Sequence, residues 1–315
     1  MIKFDRLKLI TSIDNIEILS DELFQNNYKG GNLYSARYQQ KTPFNLSVEV
    51  NYEKREAIIE FSGKILGENY PQLISIDTIS ECFKRINDLG FCRIDPVMMM
   101  DAEVVSCDVT QDVIVEDFSD MIKFIKGNIG NYKAYSCKLP RTGSLTIEKN
   151  VVSIKNKKRL IIYDKEKEMN TKNNAEYVTE NKLDGMFDDT CRFEMNLRSK
   201  EQIRQALKIK DTSLRSVLSS TANPIKDFLE EVMVDDPENN ASTQDTWKDY
   251  WHSLVLRDCD YDLEKVEAKI RQFKPARNNS IPKMMKPFRY LLGNLNSDST
   301  QLSKQEILRR LCLSN

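Results

Sequence analysis

The sequence predicts an α+β protein: antiparallel sheets in two related β-rich halves with packed helices, followed by a mostly helical C-terminal region. Three observations carry this. Over the first two hundred residues, short runs rich in Val, Ile and Tyr alternate with turn signals, the pattern of strands. An order of strands, a helix and a returning strand then recurs once, although the two stretches share too little sequence to count as a repeat. From Ser199 onward the apolar spacing becomes helical.

The elements follow in order. Tyr34 to Tyr38, Phe44 to Tyr52 and Ala57 to Ser62 read as strands, separated by Gly30-Gly31 and Thr42-Pro43 among other breaks. Asp77 to Leu89 places Ile79, Cys82, Phe83, Ile86 and Leu89 on one helical stripe, with Gly90 as the stop. Ala102 to Val115 is a Val-rich strand. Asp117 to Lys126 is a helix with Phe118, Met121, Ile122 and Ile125 on one side. Ala134 to Lys138, Ser144 to Glu148, Val151 to Lys155 and Leu160 to Tyr163 read as short strands, 168–189 as a polar loop, and Cys191 to Leu197 as a strand.

Ser199 is a good N-cap for a helix carrying Ile203 and Leu207. Further helices are expected at 224–234, 244–257, 261–273, 283–293 and 303–313. The acidic, Pro-containing run Asp235 to Asn240 marks a boundary. The expected organisation is a unit over 1–235, an acidic linker over 236–243 and a helical region over 244–315.

Composition excludes several chemistries. The 315 residues hold seven cysteines and one histidine, His252. One histidine rules out a two-histidine zinc site within the chain, and any metal chemistry falls to carboxylates, which suit magnesium or manganese. The cysteines are scattered with no CxxC pair, which fits free thiols in a reducing compartment. The first ten residues carry charges throughout, so no secretory signal is expected, and no apolar run reaches the ~18 residues of a membrane span. There is no P-loop, dinucleotide fingerprint or zinc module.

Charge is unevenly spread. Residues 227–250 hold eight acidic side chains and one lysine, whereas 265–290 hold eight basic ones (Lys265, Lys269, Arg271, Lys274, Arg277, Lys283, Lys286, Arg289) against Glu267 alone. Basic helices with Phe273, Phe288 and Tyr290 nearby suit a phosphate-tracking surface; a solvated helix face explains the charge equally well.

Three constellations could carry chemistry. In Arg159-Leu160-Ile161-Ile162-Tyr163-Asp164-Lys165-Glu166-Lys167-Glu168 an apolar strand ends in a tyrosine and a dense charged run follows, with Lys165 on the same strand face. A phenol with a pKa near ~10 needs a neighbouring cation or metal to attack at neutral pH. The plainer reading is an edge-strand tyrosine beside a solvated charge cluster. In Glu103 to Asp112, Asp108 interrupts a Val-rich strand and Asp112 follows on the same face; buried strand positions seldom hold unpaired carboxylates, although a solvent-facing strand would also explain them. In Cys191 to Arg198, Arg192, Glu194 and Asn196 share one face. If that face meets the Asp108 face, two carboxylates converge, as a magnesium or manganese site requires.

The order Phe-Ser-Gly-Lys (61–64), helix, Cys-Asp-Val-Thr-Gln-Asp (107–112), Ile-Ile-Tyr-Asp-Lys-Glu (161–166) and Arg-Phe-Glu-Met-Asn-Leu (192–197) resembles the rolling-circle replication initiators of small plasmids and filamentous phages. The branch is the one without a paired-histidine motif, the staphylococcal-plasmid and phage gene II/X type, and the resemblance spans roughly residues 1–235. It implies a cytoplasmic enzyme of a bacterial host that nicks origin DNA. A tyrosine forms a 5′-phosphotyrosine link, frees a 3′-OH primer and later rejoins the strands. Carried over, Tyr163 is the nucleophile, Lys165 the adjacent cation and Arg192 a phosphate or Glu194 contact. Asp108 and Glu194, with Asp112 as a further candidate, would hold Mg²⁺ or Mn²⁺. The family's acidic strand usually carries Arg before the Asp, where this chain has Cys107; Arg93-Ile94-Asp95 matches that tripeptide better, so Asp95 competes with Asp108. DNA contacts are expected at Lys155, Lys157, Lys158, Arg159, Lys269, Arg271, Lys274, Arg277, Lys283 and Lys286. Expected partners are origin DNA, a second copy of the chain supplying a second tyrosine, and a host helicase, with no membrane. The rivals are an origin- or operator-binding protein without catalysis and a magnesium-dependent nuclease that does not use the tyrosine.

Overall fold

The computed structural model describes residues 2–129, 134–139, 143–151, 157–233, 251–252, 255–256, 258–260, 262–273, 281–297 and 304–313. The expected linker, and with it Lys155, Lys274 and Arg277, lies outside them. Among the described residues, ten strands form one antiparallel sheet. They are β1 (Phe4–Ser12), β3 (Gln25–Lys29), β4 (Asn32–Gln40), β5 (Leu46–Asn51), β6 (Glu56–Ser62), β8 (Glu103–Ile114), β9 (Tyr135–Lys138), β10 (Leu145–Lys149), β11 (Arg159–Asp164) and β12 (Thr190–Leu197). The order is β3-β4-β5-β6-β1-β8-β12-β11-β10-β9, while β2 (Ile16–Ile18) and β7 (Cys92–Ile94) pair separately.

The fold is thus α+β, with a meander on each side of β8. The strand beside β8 precedes its meander in the first half (β1) and follows it in the second (β12). Strand β1 escapes the sequence reading because a bulge at Asp5, between Phe4 and Arg6, interrupts its alternation; a second irregularity in the β1–β8 pairing falls at Val105 of β8. The bulge leaves two successive residues, Asp5 and Arg6, out of the core between buried Phe4 and Leu7.

The sheet has two unlike faces. Leu7, Leu9, Cys107, Val109, Val113, Phe193, Met195, Leu160 and Ile162 are buried in the main core. Against that core pack α1 (Ile79–Asp88), α2 (Phe118–Gly127), α5 (Lys200–Leu207), α6 (Leu214–Leu218) and α7 (Pro224–Val232). The caps are those expected of such helices: Ser199 accepts from the Gln202 amide, and Asn223 from that of Lys226. The opposite face carries the polar alternates: Arg6, Asp108, Thr110, Asp112, Arg192, Glu194, Asn196 and Tyr163.

Part of this polar face is roofed. After β6 the chain makes a 3₁₀ segment, Gly63–Gln72. The stretch 168–189, expected as a loop, instead contains α4 (Lys172–Glu180), preceded by α3 (Lys165–Met169). Short polar helices carry too few apolar residues to show a stripe, which is why their period does not stand out. Tyr70, Leu73, Met169, Tyr177, Val178, Leu183 and Phe187 pack together into a second, small core over the sheet. Gly67 is required in the 3₁₀ segment: its φ is +59° and a Cβ there would lie 2.6 Å from Arg85 Nη1 and Asn181 Oδ1.

Two C-terminal helices, α8 (Leu263–Phe273) and α9 (Ile281–Ser297), share a third core with Leu256 and Cys259. They attach to α2 through Lys126–Glu264 (3.4 Å) and through Arg289, which donates to the Ile129 carbonyl. The final helix, α10 (Lys304–Leu313), does not join them. Ile307, Leu308 and Leu311 enter the main core, and Gln111 of β8 donates to the Leu311 carbonyl. The sheet-bearing unit therefore includes residues 304–313, which the sequence reading assigned to the C-terminal region. No helix among the described residues is long and apolar enough to cross a membrane.

Candidate active site

Register brings the expected strands together. On β8 and β12, Asn196 stands opposite Asp108, Glu194 opposite Thr110 and Arg192 opposite Asp112; on β11, Tyr163 stands opposite Arg192. Directly opposed residues share a face, so Asp108, Glu194, Arg192 and Tyr163 lie side by side. Asn196 ties the two carboxylates: its Nδ2 donates to Asp108 Oδ1 and to Glu194 Oε1, both at 2.9 Å.

Tyr163 is half-buried, and its hydroxyl donates to Glu194 Oε2 at 3.4 Å. Burial pushes the phenol pKa well above its usual value, and Glu194 pushes the same way against Arg192. The resting tyrosine is a neutral phenol. Glu194 is raised to about 7, by burial first and then by the charges of Asp5 and Asp108.

Lys165 is not on the strand. Strand β11 ends at Asp164, whose carboxylate caps α3 by accepting from the Lys167 amide at 2.8 Å, and Lys165 opens that helix. Its ammonium still reaches the site. It is 1% exposed, donates to Tyr70 Oη (2.8 Å) and Glu168 Oε2 (2.5 Å), and lies 6.0 Å from the Tyr163 ring centre. Burial lowers its pKa to about 8, helped by Arg192 and opposed by Glu168.

Arg192 is the anchor. It is fully buried and grips Asp112 through two bonds of 2.7 Å; its Nη1 also reaches Tyr70 Oη (2.8 Å) and Asp5 Oδ1 (3.2 Å). Tyr70 Oη in turn donates to Asp5 at 3.0 Å. Asp5 and Tyr70 escape the sequence reading, and Glu168 enters it only as the end of the charged run after Tyr163, without a role. Tyr70 and Glu168 sit in segments that show no strand or helix period, and Asp5 sits in the bulge of β1.

The expected metal ligands fare differently. Both Asp112 oxygens face Arg192. Asp108, 6% exposed, is held by Arg6 Nε (2.7 Å), Arg198 Nη1 (2.8 Å) and Asn196. Asp95 is exposed beyond β7, outside the large sheet, where it accepts from the Val97 amide in a turn. Among the described residues, no three His, Cys, Asp or Glu side chains group at metal-ligating spacing. Among the described residues Glu194, unlike Asp108 and Asp112, is paired with no cation; burial first, and then the charges of Asp5 and Asp108, raises its affinity for a proton.

The expected DNA contacts are mostly engaged. Lys157 and Arg159 pair with Glu148 (2.7 and 3.3 Å) and Lys158 with Glu231 (3.1 Å). On α8, Lys269 pairs with Asp258 and Arg271 with Glu267, whereas Lys283 and Lys286 are exposed on α9. No family model and no curated protein matches this chain.

Proposed function

We propose that the protein is a DNA nicking–closing enzyme that starts rolling-circle replication of a plasmid or phage, with Tyr163 as the nucleophile. The observation that carries this reading is the placement of Tyr163: a strand-end phenol in contact with Glu194, beside a buried lysine and a buried arginine. A protein that only bound DNA would need none of these groups around a tyrosine.

The residues divide the work by position. Glu194 Oε2 is the nearest acceptor for the Tyr163 proton, and a carboxyl titrating near neutrality is suited to that transfer. Lys165 lays positive charge along the ring, which favours the phenolate as it forms. Arg192 and Tyr70 hold the carboxylates in register beneath the roof of aromatic side chains, where low polarity strengthens each charge interaction. Mg²⁺ or Mn²⁺ would have Glu194 as its carboxylate ligand and would supply charge to the phosphate oxygens. Transfer to the tyrosine conserves the phosphodiester energy, so rejoining needs no nucleotide, in keeping with the absent P-loop. A second chain would provide the tyrosine for the terminating cleavage; origin DNA, a host helicase and a bacterial cytoplasm follow from the same reading.

The test is incubation of purified protein with supercoiled plasmid carrying its own gene and flanks, with Mg²⁺ or Mn²⁺. The expected result is a nicked circle with one strand covalently attached to the protein, absent for Tyr163→Phe. Nicking that survives Tyr163→Phe without an adduct indicates a metal nuclease. Binding without cleavage under either metal indicates a non-enzymatic origin- or operator-binding protein.

A further inference from the structure

Next to the site, on the uncovered part of the same sheet face, two guanidinium groups converge. Arg6 projects from β1 and Arg198 follows β12. Arg6 Nη2 lies 3.1 Å and Arg198 Nη1 3.0 Å from one hydroxyl, Ser106 Oγ, and both arginines pair with one carboxylate, Asp108. Lys8 stands two residues along β1 and pairs with Glu60 at 3.2 Å, while Glu60 also pairs with Arg6. Three cations thus answer to two carboxylates. Arg6, Lys8, Arg198, Glu60, Ser106 and Val105 line an open depression of about 610 Å³.

Like charges at such separation repel, and a single buried carboxylate holding both arginines leaves the group with a net positive charge. Guanidinium groups present paired N–H donors in a plane, the geometry that fits phosphate oxygens. Lys8 and Arg198 are over a third exposed, and Arg6 about a fifth, so their outer donors are open to a ligand. The depression is shallow and polar, which suits a chain crossing it more than a small molecule enclosed in it.

We infer that Arg6, Lys8, Arg198 and Ser106 form a phosphate subsite that holds the single strand of DNA a few nucleotides away from the phosphate attacked at Tyr163; the inference rests on the reading of Tyr163 given above. Register gives the separation. Arg6 is three strands from Tyr163 across the sheet and four residues of β8 along it, or about 20 Å. The polar row Asp108–Asn196–Glu194 connects the two ends. The strand would cross the sheet from β1 toward β11, its far phosphate anchored while the near one is presented to the tyrosine.

The experiment separates binding from cleavage by working in the Tyr163→Phe protein. Single-stranded oligonucleotides tiled across the gene and its flanks are titrated in fluorescence anisotropy at several salt concentrations, with duplexes of the same sequences as a second arm. Lys8→Gln and Arg198→Gln are expected to weaken single-strand binding severalfold and to reduce the salt slope by about 0.7 for each phosphate that is no longer neutralised. Replacing one phosphate at a time by neutral methylphosphonate should reveal one position that matters to the Tyr163→Phe protein and no longer matters after Arg198→Gln. Lys8→Gln removes only a surface pair, so it reports even if Arg198→Gln unfolds. Unchanged affinity and unchanged salt slope in Lys8→Gln and in a folded Arg198→Gln overturn the subsite, whatever Tyr163 does. A subsite effect without any covalent adduct in the wild-type protein overturns the nicking reading and keeps the subsite as a DNA contact. An effect confined to the duplex arm overturns the single-strand assignment.

Discussion

Arg192 Nη1 meets the phenol oxygen of Tyr70 at 2.8 Å, and neither side chain has any surface exposed to solvent. A buried guanidinium is tolerated only when its donors are matched. Here they are matched by Asp112, Asp5 and Tyr70, which come from β8, β1 and the 3₁₀ segment. Arg192 therefore joins three parts of the chain at one point.

Removing that joint should be costly. Arg192→Ala leaves Asp112 and Asp5 without their cation and is expected to destabilise the protein by about 3–5 kcal/mol. Arg192→Lys restores the charge but not the two-pronged grip, so it should recover only part of the loss. Urea unfolding followed by circular dichroism measures both; equal stability of all three proteins contradicts the anchoring role.

Tyr70→Phe tests the hydroxyl alone. It removes the acceptor for Lys165 and Arg192 and the donor to Asp5, while the ring keeps its place in the small core. The expected loss is about 1–3 kcal/mol, read as a lowered urea midpoint. Nicking should fall as well, because Lys165 loses one of its two fixed partners.

Stability should depend on pH through Glu194. Its folded pKa, about 7, lies above the unfolded value. The folded state thus binds the extra proton, and this contribution is complete below pH ~4.3 and lost as pH rises through about 7. Relative to Glu194→Gln, the wild type should lose up to about 3 kcal/mol between those limits in the presence of a chelator. Added Mg²⁺ should restore part of the loss at pH 7.5 in the wild type only. Parallel curves for the two proteins would sink both the titration and the assignment of the cation to Glu194.

Truncation of the chain before Lys304 should destabilise the sheet-bearing unit, not merely shorten a C-terminal module. Ile307, Leu308 and Leu311 are buried in the main core, and Lys304 Nζ donates to the Met233 carbonyl at 3.0 Å. Ile307→Ala alone is expected to cost about 2–5 kcal/mol. Limited proteolysis gives a second view, with faster digestion of residues 1–235 in the truncated protein.

How much of this could be read in the sequence depended on how local each signal was. Val-rich β8, half-polar β12 and the strand ending at Tyr163 carry their pattern within a few residues, and all three lie where that pattern places them. The convergence of Asp108 and Glu194 followed once β8 and β12 were neighbours. Asp5 was hidden because it is itself the bulge of β1, which breaks the period of two at the start of a charged stretch. Tyr70 carries no local signal: its meaning comes from Arg192 and Lys165, which lie on other elements. The same holds for the basic runs, whose neutralising partners, such as Glu148 and Glu231, sit on other elements.

The position of β1 between β6 and β8 has a consequence for how the molecule comes into being. Asp5 is 187 residues from Arg192, and Gln111 is 200 from Leu311. During synthesis β1 precedes its partner β8 by the whole first meander, and Arg192 comes later still. Contacts this distant in sequence slow folding, because long loops must close before they are rewarded. Asp5 and Tyr70 are both made well before Arg192, the cation that binds them. The polar cluster around Tyr163 is complete only after β12 has been made.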